Sequence, residues 1–473
     1  MPDFVFKKML DIVTPFDAPT SSNLDILAQE MAKPRQRENS KIPAGYTYLA
    51  QFVDHDISLD SQARKFPWTP ISSSNSFNER IPIFDLETLY GANAEDNSIY
   101  LKQNSAELRL GETSVQIDSI LKKSPFQDLP RRSDKTAAIL DQRNDENLLV
   151  AQTHVAFATF HNTIVSTSTE ANTTEKYKEA RRQTIRHYQY IVLKDLLPKI
   201  LNEDVLNDVL AHENRFYTPA ANDTFIPLEY SVAAFRMGHS MVRNKYNLNS
   251  IKKPQTLSDL RTFTGSGGLG DQKSLPSDWL IDWNLFYKLT DWQTPPEKFN
   301  FALKITTELS SGLGNLRGVF GFKRESSLAA LDLYRGRLFD LPTGQAVAKK
   351  IAGQEKVLDS QLIEELLPES LRNVFSENTP LWFYLLAEAQ INEAGERLGE
   401  VGSRIIAEVF VELLKRSPHS ILTPETPPTL NFPSATEPFL GETNGKRGMA
   451  EMLNYIESNT INGGFLNPLG TVS

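Results

Sequence analysis

Apolar residues recur at spacings of three and four over most of this chain, and strict alternation is scarce. Residues 146–168 (ENLLVAQTHVAFATFHNTIVSTS) open with an acid and continue with apolar positions at helical spacing. Residues 174–200 place Tyr190, Ile191, Leu193 and Leu197 among charged residues, again as one helix face. The stretches 228–243, 300–312, 359–374 and 402–416 predict further helices. So does Tyr46–Asp56 (YTYLAQFVDHD), where Leu49, Phe52 and Val53 form an apolar stripe. Two stretches rich in Pro, Ser and Asn, 67–80 and 417–438, interrupt the pattern and predict surface loops. The expected class is mainly α, with long loops and a few short strands. The helical segments share no evident boundary, which predicts one large helical domain.

Composition narrows the chemistry. The net charge is −9 with no basic face, which disfavours nucleic acid and other polyanions as partners. There is no cysteine, so disulfides, thiolate catalysis, Cys-zinc sites and a haem–thiolate bond are excluded. The opening MPDFVFKKMLDIVTPFD lacks a long apolar core and a small-residue cleavage site, so no secretory signal is expected. No run is long and apolar enough to predict a membrane span. The expectation is a cytoplasmic protein, or one exported without a signal peptide.

Three segments carry candidate chemistry. Gln51 and His55 lie four apart and share a helix face, with Asp54 and Asp56 flanking the histidine. Alone, this reads as an ordinary acidic helix end. In Asp141–Asn162, Arg143 and Glu146 sit at a helix start, where exposed charges are common. His154 and His161 lie seven apart, a spacing that fits metal ligands but more often marks packing. In Ser231–Val242 (SVAAFRMGHSMV), Arg236 and His239 interrupt an apolar helix. Gly238 costs about 1 kcal/mol there relative to Ala, so it needs a packing reason such as a flat ligand pressed close.

Together these segments resemble the animal-type haem peroxidases of the peroxidase–cyclooxygenase superfamily. QFVDHD resembles the family's distal helix motif, RNDE its Arg-x-x-Glu motif and AFRMGHSMV its proximal helix, in the family's order. LDLYRGRLFDLPTGQAVA (331–348) also resembles the family, while LPSDWLIDWNLFY (275–287) and ERLGEVGSRIIAEVF (396–410) resemble its bacterial branch. The resemblance covers roughly residues 40–455. It implies a catalytic domain over that range, an N-terminal extension (1–39) packed on it, and a C-terminal tail (456–473). Haem would lie between the distal and proximal helices.

The resemblance also implies roles. His55 matches the distal histidine that moves the peroxide proton, and Arg143 the arginine that stabilises charge as the O–O bond breaks. Gln51 matches a glutamine that orders water and helps bind halide. His239 matches the iron's axial ligand, and Arg236 the arginine that pairs with a haem propionate. Asp332 stands where the family has an asparagine behind the axial histidine. As a stronger acceptor it should make His239 more imidazolate-like and lower the iron's reduction potential. Asp54 and Glu146 match carboxylates that form esters to haem methyl groups, so ester-linked haem b is expected. Asn147 stands where one relative has a methionine, so no sulfonium link can form. The family's calcium site maps onto Asp56, Asp85, Ile83 and Glu87. Ile81 and Glu87 replace a threonine and a serine of that loop, and Ile81 can offer only its carbonyl.

The implied activity is reduction of hydrogen peroxide and oxidation of a small donor, halide, thiocyanate or phenol, through a high-valent iron intermediate. A related fatty-acid dioxygenase is the first alternative. Those relatives use a tyrosine one turn before the axial histidine, where this chain has Arg236, preceded by Phe235. The second alternative is a helical binding protein that has lost haem.

Overall fold

The computed structural model describes residues 4–12, 20–61, 76–91, 100–114, 127–289, 293–316, 327–423, 448–460 and 464–470. Among these, eight helices of eleven or more residues carry the fold. They are α1 (Ser21–Met31), α2 (Gly45–Ile57), α3 (Leu148–Thr167), α4 (Thr173–Tyr190), α5 (Leu328–Leu338), α6 (Leu381–Asn392), α7 (Glu400–Arg416) and α8 (Met449–Asn459). The strands are short: β1 (Phe4–Val5), β2 (Asn39–Pro43), β3 (Phe77–Asn78), β4 (Lys245–Tyr246), β5 (Gln255–Thr256) and β6 (Phe301–Leu303). They form three antiparallel pairs, β1 with β3, β2 with β6 and β4 with β5. The architecture is one mainly helical domain, as expected.

Helix α3 is buried on nearly every face, from Leu148 to Val165. Its polar residues are satisfied internally. His161 reaches the Ala106 carbonyl (2.9 Å) and the Tyr90 hydroxyl (3.0 Å), the packing role rather than a metal role. Around α3 pack α2, α4 and α8. Phe52 of α2 stacks on Phe157 of α3 with centroids 5.1 Å apart and planes 4° apart. Tyr188 of α4 meets Phe157 edge-on at 5.6 Å. This anchoring fixes the rotation of α2 and leaves Gln51 and Asp54 half-buried on its other flank.

At the chain start, Met9 and Leu10 donate backbone N–H bonds to Glu229, at 2.8 and 3.1 Å. Helix α1 packs on α5.

Several expected helices differ in form. Residues 300–312 are not helical: Phe301–Leu303 pairs with β2, and a single 3-10 turn follows at Ser311–Leu313. Phe301, Leu303 and Ile305 alternate with period two, and the β-branched Ile305, Thr306 and Thr307 favour extended backbone. The helix expected over 359–374 stops at Leu366, because Pro368 cannot continue it. The 174–200 helix is continuous, but Ile191–Leu196 widens into a π-turn just before Pro198. The segment 228–243 is the most distorted: a π-turn (Glu229–Ala233), a 3-10 turn (Ala234–Met237) and one α-turn (Gly238–Met241). Of the expected loops, 67–75 and 424–438 lie outside the described residues.

Candidate active site

The last turn of α2 is clamped by Arg143. Its Nη2 donates to the carbonyls of His55 (3.1 Å) and Ser58 (2.7 Å). Asp141 holds the same guanidinium, accepting from Nε at 3.0 Å and from Nη2 at 2.6 Å. Asp141 also caps the 3-10 turn Gln142–Asp145, so one carboxylate sets both the backbone turn and the arginine. Among the described residues, Nη1 of Arg143 makes no hydrogen bond and remains available as a donor.

His55 is almost fully buried. Its Nδ1 lies 2.8 Å from Oδ1 of Asn144, and Nδ2 of Asn144 lies 3.2 Å from Nδ1 of His154. In the assigned orientation of this amide, Asn144 donates to His154 and accepts from His55. That places the His55 proton on Nδ1 and leaves Nε2 as an acceptor. Burial, reinforced by the Arg143 charge, pushes the His55 pKa down to about 3. Burial likewise lowers His154 to about 4.

On the opposite side, Nδ1 of His239 lies 2.5 Å from Oδ2 of Asp332, and Nη1 of Arg236 donates to Oδ1 of the same carboxylate at 3.0 Å. Asp332 is 1 % exposed, so both contacts act in a weakly screened setting. Nε of Arg236 donates to the Ser231 carbonyl at 2.9 Å. In this structure the Arg236 guanidinium therefore serves Asp332, in addition to any propionate the resemblance assigns it.

The two sides bound the candidate cleft. Gln51, Asp54, Arg143, Glu146 and Asn147 are half-buried on one wall, and Arg236, Gly238 and His239 on the other. The Gly238–Met241 turn packs directly on α2. The Asp54 carboxyl is raised by burial and feels Arg143, Arg236 and His239 together, which sets it between the walls. Ser58 Oγ donates to Asp54 at 3.0 Å. Gln51 donates to Glu146 and accepts from Asn147 Nδ2 at 3.1 Å. Burial pushes Glu146 up to about 8, so it is mainly a neutral acid at pH 7. A Cβ built on Gly238 would meet nothing within 4 Å, so the space beside His239 is open.

The calcium expectation rests on Asp56, Asp85, Ile83 and Glu87. Asp56 accepts backbone bonds from Leu86 (3.2 Å) and Thr88 (3.3 Å). Glu87 turns back to the Ile81 N–H at 3.1 Å, and Asp85 accepts from the Glu87 N–H at 3.1 Å. Ile83 bonds through its N–H to the Ile81 carbonyl. Among the described residues, no three His, Cys, Asp or Glu side chains converge to hold a metal ion. Asp56, Asp85 and Glu87 thus each accept a local backbone N–H, while the ligand expected of Ile83 is its carbonyl.

A family model described as animal haem peroxidase matches residues 63–416. The chain belongs to the animal haem peroxidase family. The match includes Arg143, Glu146, Arg236, His239 and Asp332, and begins beyond His55. A curated relative, Peroxidase mlt-7 from Caenorhabditis elegans, is 26% identical over 195 residues, which is 39% of this chain. That match spans only 25% of the relative's length. Among solved structures, Peroxidase A from Dictyostelium discoideum superposes with a TM-score of 0.63 at 16% identity, over 89% of this chain and 88% of that one. Fatty acid alpha-dioxygenases are similar too. The enzyme from Oryza sativa gives a TM-score of 0.59 at 14% identity over 97% of this chain and 82% of that one. The enzyme from Arabidopsis thaliana gives 0.58 at 14% identity over 86% and 71%. At such identities these likenesses show the fold alone. Among the described residues no helix is long and apolar enough to cross a membrane.

Animal haem peroxidases imply haem, and the cleft fits it. A histidine whose Nδ1 is tied to a carboxylate keeps Nε2 for iron. Open space beside Gly238, a facing neutral histidine and half-buried carboxyls on the wall complete the fit. Sequence reasoning missed three members: Asp141, Asn144 and His154. Asn144 stood in view within RNDE, between Arg143 and Glu146. His154 was weighed only for packing or metal, because its partner lies ten residues away across a helix start.

Proposed function

We propose that the chain is a haem-dependent peroxidase that reduces hydrogen peroxide and oxidises small donors. The observation that carries this reading is the distal pair: a buried His55 with a free Nε2, beside an arginine with a free Nη1. Haem, when bound, would supply the two-electron redox chemistry that peroxide reduction needs. His239 would hold that iron through Nε2. Asp332 fixes the tautomer of His239 and strengthens its basicity. His55 Nε2 takes the proton from the near peroxide oxygen and returns it to the far one, which leaves as water. Arg143 Nη1 donates to the oxygen on which negative charge grows. Gln51, tied to Glu146 and Asn147, orders water beside them.

Asp54 and Glu146, half-buried on the cleft wall, are the carboxyls we assign to haem esters. Peroxide-cycled protein should then retain its haem in acidified organic solvent, whereas Asp54→Val with Glu146→Val should release it. Asp56 and Asp85 remain the basis for the calcium expectation: burial, and then the Asp85 charge, disfavour ionisation of Asp56, a cost that a bound cation would offset. A calcium-dependent rise in melting temperature that Asp85→Asn removes would support it.

The dioxygenase alternative stands on fold likeness. At the position of its tyrosine, Arg236 is engaged with Asp332, and we rank it second. The test is direct. Haem-loaded protein should show a Soret band that shifts with peroxide and should turn over iodide or a phenol. Oxygen uptake with palmitate and none of those activities would reverse the ranking. No Soret band after adding hemin would favour the binding-protein alternative.

A further inference from the structure

Trp382, at the start of α6, meets the His239 ring edge-on, with centroids 6.4 Å apart and planes 78° apart. Its Nε1–H donates to the Arg236 carbonyl at 3.3 Å. The indole is thus fixed against the residue proposed to hold the iron. It is 3 % exposed, yet it lines a notch of about 10 Å³, room for one water, with Leu24, Asp332, Gly336, Arg337 and Pro380. Arg337 and Pro380 are half-exposed, so the notch reaches solvent. A Cβ at Gly336 would meet nothing within 4 Å, so the notch is open at its floor.

We propose that Trp382 relays single electrons from a small anionic donor, docked on the surface over the mouth of this notch beside Arg337, to the haem site. The inference rests on the peroxidase reading and deepens it by assigning a second place for donor oxidation. Electron transfer falls steeply with distance, so a side chain touching both the axial histidine and a surface notch shortens the path. With no cysteine in the chain, tryptophan and tyrosine are the readily oxidised side chains.

Tyr230, on the turn before the proximal histidine, is fully buried, and its hydroxyl has no hydrogen-bond partner among the described residues. A phenol must shed its proton when it loses an electron, and here nothing accepts it. An indole can lose an electron and keep its N–H. The Arg236 carbonyl holds that proton, and the neighbouring Asp332 carboxylate favours the positive charge.

The balance is simple. One hydrogen peroxide takes two electrons and two protons to give two waters. In two successive passages Trp382 gives one electron to the peroxide-oxidised haem site and becomes a cation radical. Each time, a one-electron donor at the notch reduces it again. Two donors are oxidised per peroxide, and the protons come from water.

The test uses haem-loaded full-length protein, ferrocyanide as the anionic donor and iodide as the small comparison donor. A wild-type Soret band that shifts with peroxide establishes the peroxidase reading on its own. Its absence would overturn that reading and the relay with it. With the band intact, one equivalent of peroxide should give an electron paramagnetic resonance radical signal that narrows when tryptophan ring hydrogens are deuterated. Trp382→Phe should lose that signal. Its ferrocyanide oxidation should fall at least tenfold more than its iodide oxidation. Arg337 also lies over the Tyr334 ring at 4.8 Å and donates to Ser21 at 3.1 Å, so Arg337→Gln, which loses the same contacts and only neutralises the charge, accompanies Arg337→Glu. Both should slow ferrocyanide at low ionic strength while the radical still forms, Glu more than Gln. A Trp382→Phe radical identical to wild type, or equal losses for the two donors, overturns the relay. An unchanged ferrocyanide rate in Arg337→Glu overturns the docking place.

Discussion

At neutral pH the His55 imidazole has its proton on Nδ1, directed at Asn144, and an empty Nε2. Because its folded pKa is pushed down to about 3, it stays uncharged until the medium is strongly acid. The rate of reaction with peroxide should therefore be flat from about pH 5 to 8 and decline only toward pH 3. Arg143→Ala removes the second cause of that depression as well as the donor to the breaking bond. Its rate should fall roughly 10²–10³-fold, and its acid limb should move to higher pH. Stopped-flow measurements from pH 8 down to about pH 3 check both. A slowed variant with an unmoved limb would mean that burial alone sets the His55 pKa. Asn144→Ala should slow the reaction by about 10–100-fold at unchanged haem content, the usual cost of losing a partner that orients a reacting histidine. Asp332→Asn should raise the iron midpoint potential, because His239 then faces a weaker acceptor. At this scale the sequence was informative where motif and chemistry coincide. Gln51, His55, Arg143, Arg236, His239 and Asp332 all lie around one cleft or directly behind it. Asn144 and His154 were not legible, because an asparagine in a polar turn has no periodic signature and its two partners lie on different helices.

Among the elements, α2 depends on a close approach at its first residue. A Cβ on Gly45 would lie 2.4 Å from the Tyr287 ring and 2.8 Å from the Phe286 carbonyl oxygen. The ring cannot swing far, since it packs edge-on to Tyr46 at 5.1 Å. Gly45→Ala should therefore push the distal helix outward and cost about 1–3 kcal/mol, the range for overpacking a core. Chemical denaturation measures this, and haem affinity should fall in parallel because His55 and Asp54 ride on that helix. A stable variant with weakened haem binding would show that α2 moves as a rigid body. Helices α2, α3, α4 and α7 were legible because each has a long apolar run or stripe. Helix α6 was not, because Leu381–Ala389 is buried on all sides and its apolar residues have no period. The π-turns at Ile191–Leu196 and Glu229–Ala233 were also unreadable, since one extra residue in a turn leaves the local composition unchanged. The false helix at 300–312 arose from apolar spacing that fits both periods, and pairing with β2 decided for the strand.

Across the whole molecule, buried titratable groups pull stability in opposite directions with pH. Burial raises Asp85 and Asp145 to about 6, Glu388 to about 7 and Glu146 to about 8. Each binds its proton more tightly in the folded state, so each contributes stability that is lost as pH rises toward its folded pKa. Burial lowers His55 to about 3 and His154 and His161 to about 4. These prefer to stay neutral when folded, so they contribute stability that is gained as pH rises toward their unfolded value near 6.5. Between about pH 4 and 6.5 the two sets oppose each other. Above that, Glu388 and Glu146 act unopposed, Glu388 over a further half pH unit and Glu146 over one and a half. At about 1.4 kcal/mol per unit, the haem-free protein should lose about 2–3 kcal/mol between pH 6.5 and 8. Most of that loss belongs to Glu146, which links it to the cleft. Glu146→Gln should flatten the alkaline side of the stability curve in haem-free protein. If Glu146 is esterified, peroxide-cycled holoprotein should be equally flat with the native residue in place, because an ester has no proton to lose. Denaturant titrations at pH 6.5, 7.2 and 8 of the haem-free, haem-loaded and peroxide-cycled forms measure this. A slope that survives cycling would place the covalent link elsewhere, and one that survives Glu146→Gln would place the titrating group outside the cleft.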